Sequence, residues 1–181
     1  MSAGPLSRLL GLPATALPAL IGRLTAVDLT VATAESLTGG LLAALLTETA
    51  GASAVVRGAL VVYATELKAS LAGVDARLLD ERGPVDPDVA VGLADGARAA
   101  CGATVGVGLT GVAGPDPQHG MPVGTVFIAV TGAGFSRVAT RRPVDLAALP
   151  RGLSRRDDIR FAAVRSAVEL LEQLVLGVAT K

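Results

Sequence analysis

The chain has 181 residues, of which 51% are hydrophobic and only 2% aromatic, and its Lys+Arg and Asp+Glu balance at 16 each. That length fits one domain with a core of Ala, Val and Leu, and the zero net charge gives no electrostatic ground for binding nucleic acid or an anionic membrane. A single Cys and a single His exclude an internal disulfide and the usual nitrogen–sulfur zinc site, and fit a reducing cytoplasm.

The N-terminal stretch "MSAGPLSRLLGLPATALP" lacks a basic start before an apolar run, so a signal peptide is not expected. Its prolines and glycines predict a flexible leader over residues 1–15, followed by a single domain over 16–181. "ATALPALIGRLTAVD" carries apolar residues at helical spacing. "LTVATA" is a short β-branched run and predicts a strand ending just before Glu35. "SLTGGLLAALLTETAG" predicts a helix capped by Thr38 and stopped by Gly51. "AVVRGALVVYA" predicts a buried strand, and Thr65 caps a short helix carrying Glu66, Lys68 and Leu71. "GVDARLLDERG" predicts another short helix. Asp86 followed by Pro87 is a strong helix start. "ATVGVGLT" predicts a strand, and "GVAGPDPQHGMPVG" a Gly/Pro loop. "TVFIAVTG" and "FSRVATRR" predict a hairpin about Gly132 to Gly134, and "RRDDIRFAAVRSAVELLEQLVLG" a closing helix. The longest uncharged stretch, "AACGATVGVGLTGVAGP", is broken by glycine and threonine and predicts no membrane span. Alternating strands and helices with one late hairpin predict a three-layer α/β/α sandwich with a mixed, mostly parallel sheet.

In such sheets ligands sit beyond the C-terminal ends of the strands. Three polar clusters follow strand ends: "AESLTGG", "YATELK" and "TGVAGPD". Ser36 falls on a strand-to-helix turn, where the N–H groups of Leu37, Thr38 and Gly39 suit an anion or oxyanion; the same pattern also serves as an ordinary helix cap. Lys68 and Lys181 are the only lysines, and every other basic residue is Arg. Arg cannot lose its proton near neutral pH and Lys can, so Lys68 reads as chemistry more than as a solvated charge. Tyr63, the only tyrosine, either faces the same crevice or packs on the sheet. Thr110 either aims its hydroxyl at a ligand or ends a strand before a turn. A Tyr, Lys and Ser set also occurs in short-chain dehydrogenases, but the Tyr63-x-x-x-x-Lys68 spacing and the missing glycine fingerprint argue against one.

"ATAESLTGG", "GALVVYATELKASLAGV", "GPVDPDVAVGLADGAR", "GLTGVAGPD" and "PVGTVFIAV" stand in one order along the chain. Together they resemble the C-terminal domain of the competence/damage-inducible protein CinA and its stand-alone relatives, the nicotinamide-nucleotide amidohydrolases, over roughly residues 16–176. The resemblance implies the same three-layer fold and hydrolysis of nicotinamide mononucleotide to nicotinate mononucleotide and ammonia. It makes Ser36 the nucleophile, Lys68 its base, and Tyr63 and Thr110 supporting hydroxyls. Glu35, Thr38, Gly39, Gly40, Gly111, Ala113, Gly114 and Arg156 are expected at the substrate. Met121 stands where the family usually has Lys, and Ser154-Arg155-Arg156 where it usually has Gly-Asp-Arg. A nucleotide substrate is the expected partner, with no nucleic acid, membrane, metal or cofactor, and with self-association into a homo-oligomer. The other readings are an inactive nucleotide-binding module of the same fold and an interaction domain for competence or DNA-repair proteins. Catalysis requires Lys68 to fall from about 10.4 to near 7, a shift that burial can supply.

Overall fold

Hydrophobic periodicity switches between two and three to four residues along the chain, and the elements follow it. The structure, a computed structural model, describes residues 3–132, 135–141 and 154–179. In chain order come α1 (Pro5–Leu9), α2 (Ala16–Ala26), β1 (Val31–Glu35), α3 (Leu41–Thr47), β2 (Val56–Val61), α4 (Thr65–Ser70), α5 (Ala76–Arg82), α6 (Pro87–Cys101), β3 (Val105–Gly111), β4 (Val126–Gly132), β5 (Phe135–Arg141) and α7 (Arg155–Ala179).

The sheet runs β2-β1-β3-β4-β5. β1 pairs in parallel with both β2 and β3, while β4 is antiparallel to β3 and to β5. Only β4 therefore opposes the common direction, as expected for a mixed, mostly parallel sheet. The predicted hairpin is present, with Gly132 opposite Phe135. Its turn at Ala133 and Gly134, and Arg142 at the predicted end of the second strand, lie outside the described residues.

Alternation along the strands sorts side chains to the two faces. Val105, Val107 and Leu109 of β3, with Val126, Ile128 and Val130 of β4, pack in one cluster with α2, α3 and α7. Ala32 and Ala34 of β1 pack with α6 in a second cluster, and Phe127 and Ala129 of β4 in a third. The intervening residues of β3, Gly106 and Gly108, let α6 lie directly on the sheet. A Cβ on Gly106 would sit 1.8 Å from the Ala94 carbonyl oxygen, and one on Gly108 would sit 2.1 Å from that of Ala90. α6 begins as predicted, with the Asp86 carboxylate accepting from the Asp88 N–H at 2.8 Å and Pro87 in the first turn.

The leader differs from the loose segment expected of it. Pro5–Leu9 is helical, and Leu10 and Ser7 are buried. The Glu48 carboxylate, just after α3, accepts from the Leu6 N–H at 2.6 Å, the Ser7 N–H at 3.0 Å and the Ser7 hydroxyl at 2.7 Å. Those bonds satisfy donors that a helix N-terminus leaves open; burial alone would raise the Glu48 pKa, and the hydrogen bonds from Ser7 and Leu6, with the Arg8 charge, together lower it. This long-range docking has no signature in the leader's own composition. No helix among the described residues is long and apolar enough to cross a membrane.

Candidate active site

The parallel strands β1, β2 and β3 deliver their C-terminal ends to one edge of the sheet, and the three polar clusters meet there. Ser36 directly follows β1, and its N–H is held by the Leu109 carbonyl of β3 at 3.1 Å. α3 starts at Leu41, two residues later than the expected Thr38 cap would place it. The cause is Glu35. Its carboxylate is fully buried and accepts from the N–H groups of Gly40 (3.1 Å), Leu42 (3.1 Å) and Ala43 (2.8 Å), and from the Thr33 hydroxyl (3.1 Å). A charged acceptor at the mouth of a helix satisfies the open donors and complements the dipole.

Glu35 is thus the anchor of the α3 N-terminus, placed away from the ligand cavity rather than in it. Thr38, predicted as the cap, makes no capping bond; its hydroxyl is buried without a partner among the described residues. Gly39 and Gly40 adopt φ of 62° and 93°, the left-handed region. Their glycine character serves the turn that carries the chain from Ser36 into α3.

Lys68 lies on α4, which follows β2 in the chain, and is 2% exposed. Its Nζ is 3.0 Å from Ser36 Oγ, 2.9 Å from the Val62 carbonyl oxygen and 3.4 Å from that of Tyr63. As an ammonium it donates to all three. As a neutral amine it donates its two N–H bonds to the carbonyls and presents its lone pair to the Ser36 hydroxyl proton. Burial lowers its pKa from 10.5 to about 8, with the Glu66 charge pulling weakly the other way. That is less far than the expected value near 7.

A cavity of about 310 Å³ opens over this pair, near the lower end of small-ligand sites. Ser36, Lys68, Tyr63, Thr110, Gly111, Ala113, Gly114 and Arg156 all line it; Glu35, Thr38, Gly39 and Gly40 do not. Tyr63 is an exposed side chain at the mouth, and its hydroxyl oxygen accepts from Arg156 Nη2 at 2.8 Å. Arg156 also donates from Nη1 to the Gly114 carbonyl, tying α7 to the loop after β3. The Thr110 hydroxyl is buried and donates to the Pro84 carbonyl at 2.6 Å. Gly111 is tight against β4, where a Cβ would meet the Thr125 carbonyl oxygen at 2.6 Å. No cluster of metal-ligating side chains occurs among the described residues.

Several further residues meet here that the sequence pattern does not single out. Pro84, Val85, Asp116 and Gln118 complete the cavity wall. Arg160 donates from Nε to the Leu37 carbonyl at 3.1 Å and from Nη2 to the Thr38 carbonyl at 3.2 Å. Its place one turn beyond Arg156 on α7 was the available signal. Ser154, at the altered Gly-Asp-Arg position, caps α7: its oxygen accepts from the Asp157 N–H at 3.3 Å and its hydroxyl donates to the Asp157 carboxylate at 2.7 Å.

The pattern of the CinA C-terminal domain family matches residues 15–175. A CinA-like protein of Frankia casuarinae is 45% identical over 159 residues, covering 87% of this chain and 34% of that protein. A CinA-like protein of an Anaeromyxobacter species is 46% identical over 159 residues, covering 86% and 36%. This chain thus spans about a third of the length of the curated relatives it matches. Among solved structures, the competence/damage inducible protein CihA of Agrobacterium tumefaciens superposes with a TM-score of 0.80 at 35% identity, covering 96% of this chain and 98% of that one. A CinA superfamily protein of Escherichia coli gives 0.78 at 29% identity, covering 88% of each.

Proposed function

This chain belongs to the CinA C-terminal domain family, and from that premise we propose that it is an amidohydrolase converting nicotinamide mononucleotide to nicotinate mononucleotide and ammonia. The observation that carries the reading is the buried Lys68 Nζ at 3.0 Å from Ser36 Oγ, at the floor of a cavity. A hydroxyl within hydrogen-bond reach of an amine with a lowered pKa is the arrangement of an activated nucleophile. A merely structural lysine would have no use for that burial, which disfavours its charged form.

The steps follow from the bonding pattern. Neutral Lys68 takes the Ser36 proton as Oγ bonds to the carboxamide carbon. The carbonyl oxygen becomes an oxyanion. Leu37 lines the cavity, and its N–H has no hydrogen-bond partner among the described residues, so it is the available donor. The Lys68 ammonium then returns the proton to the amide nitrogen, the C–N bond breaks and ammonia leaves. Water enters, gives its proton to Lys68 and cleaves the acyl-serine ester, releasing the carboxylate and restoring Ser36. Of the two assisting hydroxyls, Thr110 has its proton committed to Pro84, which favours Tyr63 for any relay to the leaving group.

Arg156, Ala113 and Gly114 also line the cavity, and a guanidinium beside bare backbone suits an anionic phosphate. Asp116, another lining residue, adds one negative charge beside a substrate whose ring is cationic. The test is ammonia release from nicotinamide mononucleotide by the purified chain. Stoichiometric nicotinate mononucleotide with each ammonia supports the reading. Binding without ammonia release would leave only the nucleotide-binding module.

A further inference from the structure

We infer that Arg160 is a positioning residue for catalysis, holding the Leu37–Thr38 backbone so that the open Leu37 N–H is presented to the oxyanion; the inference rests on the acyl-transfer reading of Ser36. Four observations meet here. Arg160 sits on α7, remote in sequence from the turn after β1, yet its guanidinium donates to both the Leu37 and the Thr38 carbonyl. The preceding carbonyl, that of Ser36, is taken by the Gly39 N–H at 3.0 Å. The N–H groups of Leu37 and Thr38 donate to no partner among the described residues. Arg160 is itself steered by the Asp157 carboxylate at 3.0 Å.

Planar trans peptides turn these facts into directions. The C=O and N–H of one peptide unit point opposite ways. Fixing the Ser36 carbonyl on Gly39 sets the Leu37 N–H on the other side, and fixing the Leu37 carbonyl on Arg160 does the same for the Thr38 N–H. The Leu37 residue is therefore clamped at both ends. A turn with two left-handed glycines nearby, Gly39 and Gly40, has no rigidity of its own to keep that direction. The planar guanidinium fork reaches two carbonyls at once, which Lys cannot reproduce.

Arg160 touches no cavity surface, so its loss should act through the turn alone. Arg160→Gln is expected to lower kcat for nicotinamide mononucleotide about 10- to 100-fold, below the effect of deleting an oxyanion donor outright, with KM changed less than about threefold. The pH at half-maximal kcat/KM should stay where it is in the wild type, since Lys68 is untouched. Arg160→Lys should recover part of the loss, and millimolar guanidinium added to Arg160→Ala should recover more. A structural defect would move the melting temperature and KM, and would not respond to guanidinium.

A second readout does not depend on the substrate's identity. A fluorophosphonate reacts as Ser36 Oγ bonds to phosphorus, the P–F bond breaks, Lys68 takes the serine proton and fluoride leaves. Its phosphoryl oxygen gains charge on the way and draws on the same N–H. Intact mass should show labelling of Arg160→Gln slowed by a factor similar to the kcat loss. Should the wild type label but release no ammonia from nicotinamide mononucleotide, the substrate assignment fails while Arg160 is still tested. Labelling of Arg160→Gln at the wild-type rate overturns the inference, as does a wild type that does not label at all, or guanidinium rescue that is absent in a folded Arg160→Ala.

Discussion

Lys68→Arg keeps a positive charge beside Ser36 and removes only the ability to be neutral. The size of the effect follows from the amine's pKa of about 8. At pH 7 roughly a tenth of Lys68 is uncharged, by the ordinary titration relation. Arg, with a pKa above about 12, is uncharged in less than about one molecule in 10⁵. If the neutral form takes the Ser36 proton, turnover should fall by about 10⁴-fold or more, to the residual left by binding and the oxyanion donor. The Val62 and Tyr63 carbonyls can still accept from a guanidinium, so the fold has partners for the new side chain. The assay is ammonia release at saturating nicotinamide mononucleotide, with circular dichroism and a melt on the same preparation. A folded Lys68→Arg chain working within about tenfold of the wild type would refute Lys68 as the base.

The remaining expectations use the same geometry. Ser36→Ala should lose turnover to a similar depth while binding nicotinamide mononucleotide within a few-fold, by calorimetry. The kcat/KM of the wild type should rise with pH and level off above about 8, since only the neutral amine is active and this ratio reports the free enzyme. The same amine sets a stability slope. Its folded pKa lies below the unfolded value of 10.5, so the unfolded chain binds more protons in between, and stability rises from about pH 8 to about 10.5. The penalty below that window is on the order of 3 kcal/mol, less whatever cavity water screens. Lys68→Met should lack the penalty, so urea midpoints should show its advantage at pH 7 shrinking by pH 10. Glu35→Ala strands the N–H groups of Gly40, Leu42 and Ala43 in a buried place and should lower stability by about 2–4 kcal/mol in urea, with a smaller loss for Glu35→Gln.

What the sequence disclosed and what it hid separate along physical lines. The Asp86–Pro87 start of α6 was legible because capping is local: the cap and the N–H it takes are neighbours. The strand order of chemistry was legible too, since polar residues at the ends of apolar runs must gather at one sheet edge. Lys68 stood out because the chain otherwise uses Arg. The helix-anchoring bonds of Glu35 were not legible, because its partners arise only when the turn at Gly39 and Gly40 folds back over the strand end. Nothing in "AESLTGG" tells a carboxylate that holds a helix from one that holds a ligand. The same holds for Arg160 and Glu48, whose bonds join segments far apart in sequence. Local pattern names the hydroxyl and the amine; docking of α7 and of the leader decides what surrounds them.

The account stands on a lysine that sheds its proton far more easily than a free one, and the chain offers a direct view of it. Lys68 and Lys181 are its only lysines, so uniform labelling with ¹³Cε-lysine gives two resonances, and Lys68→Arg identifies which is which. Followed by nuclear magnetic resonance from pH 6 to 12, the Lys68 signal should titrate with a midpoint of about 8. A midpoint at the ordinary lysine value of about 10.4 would contradict the account, because Ser36 would then face a fixed cation and have no base.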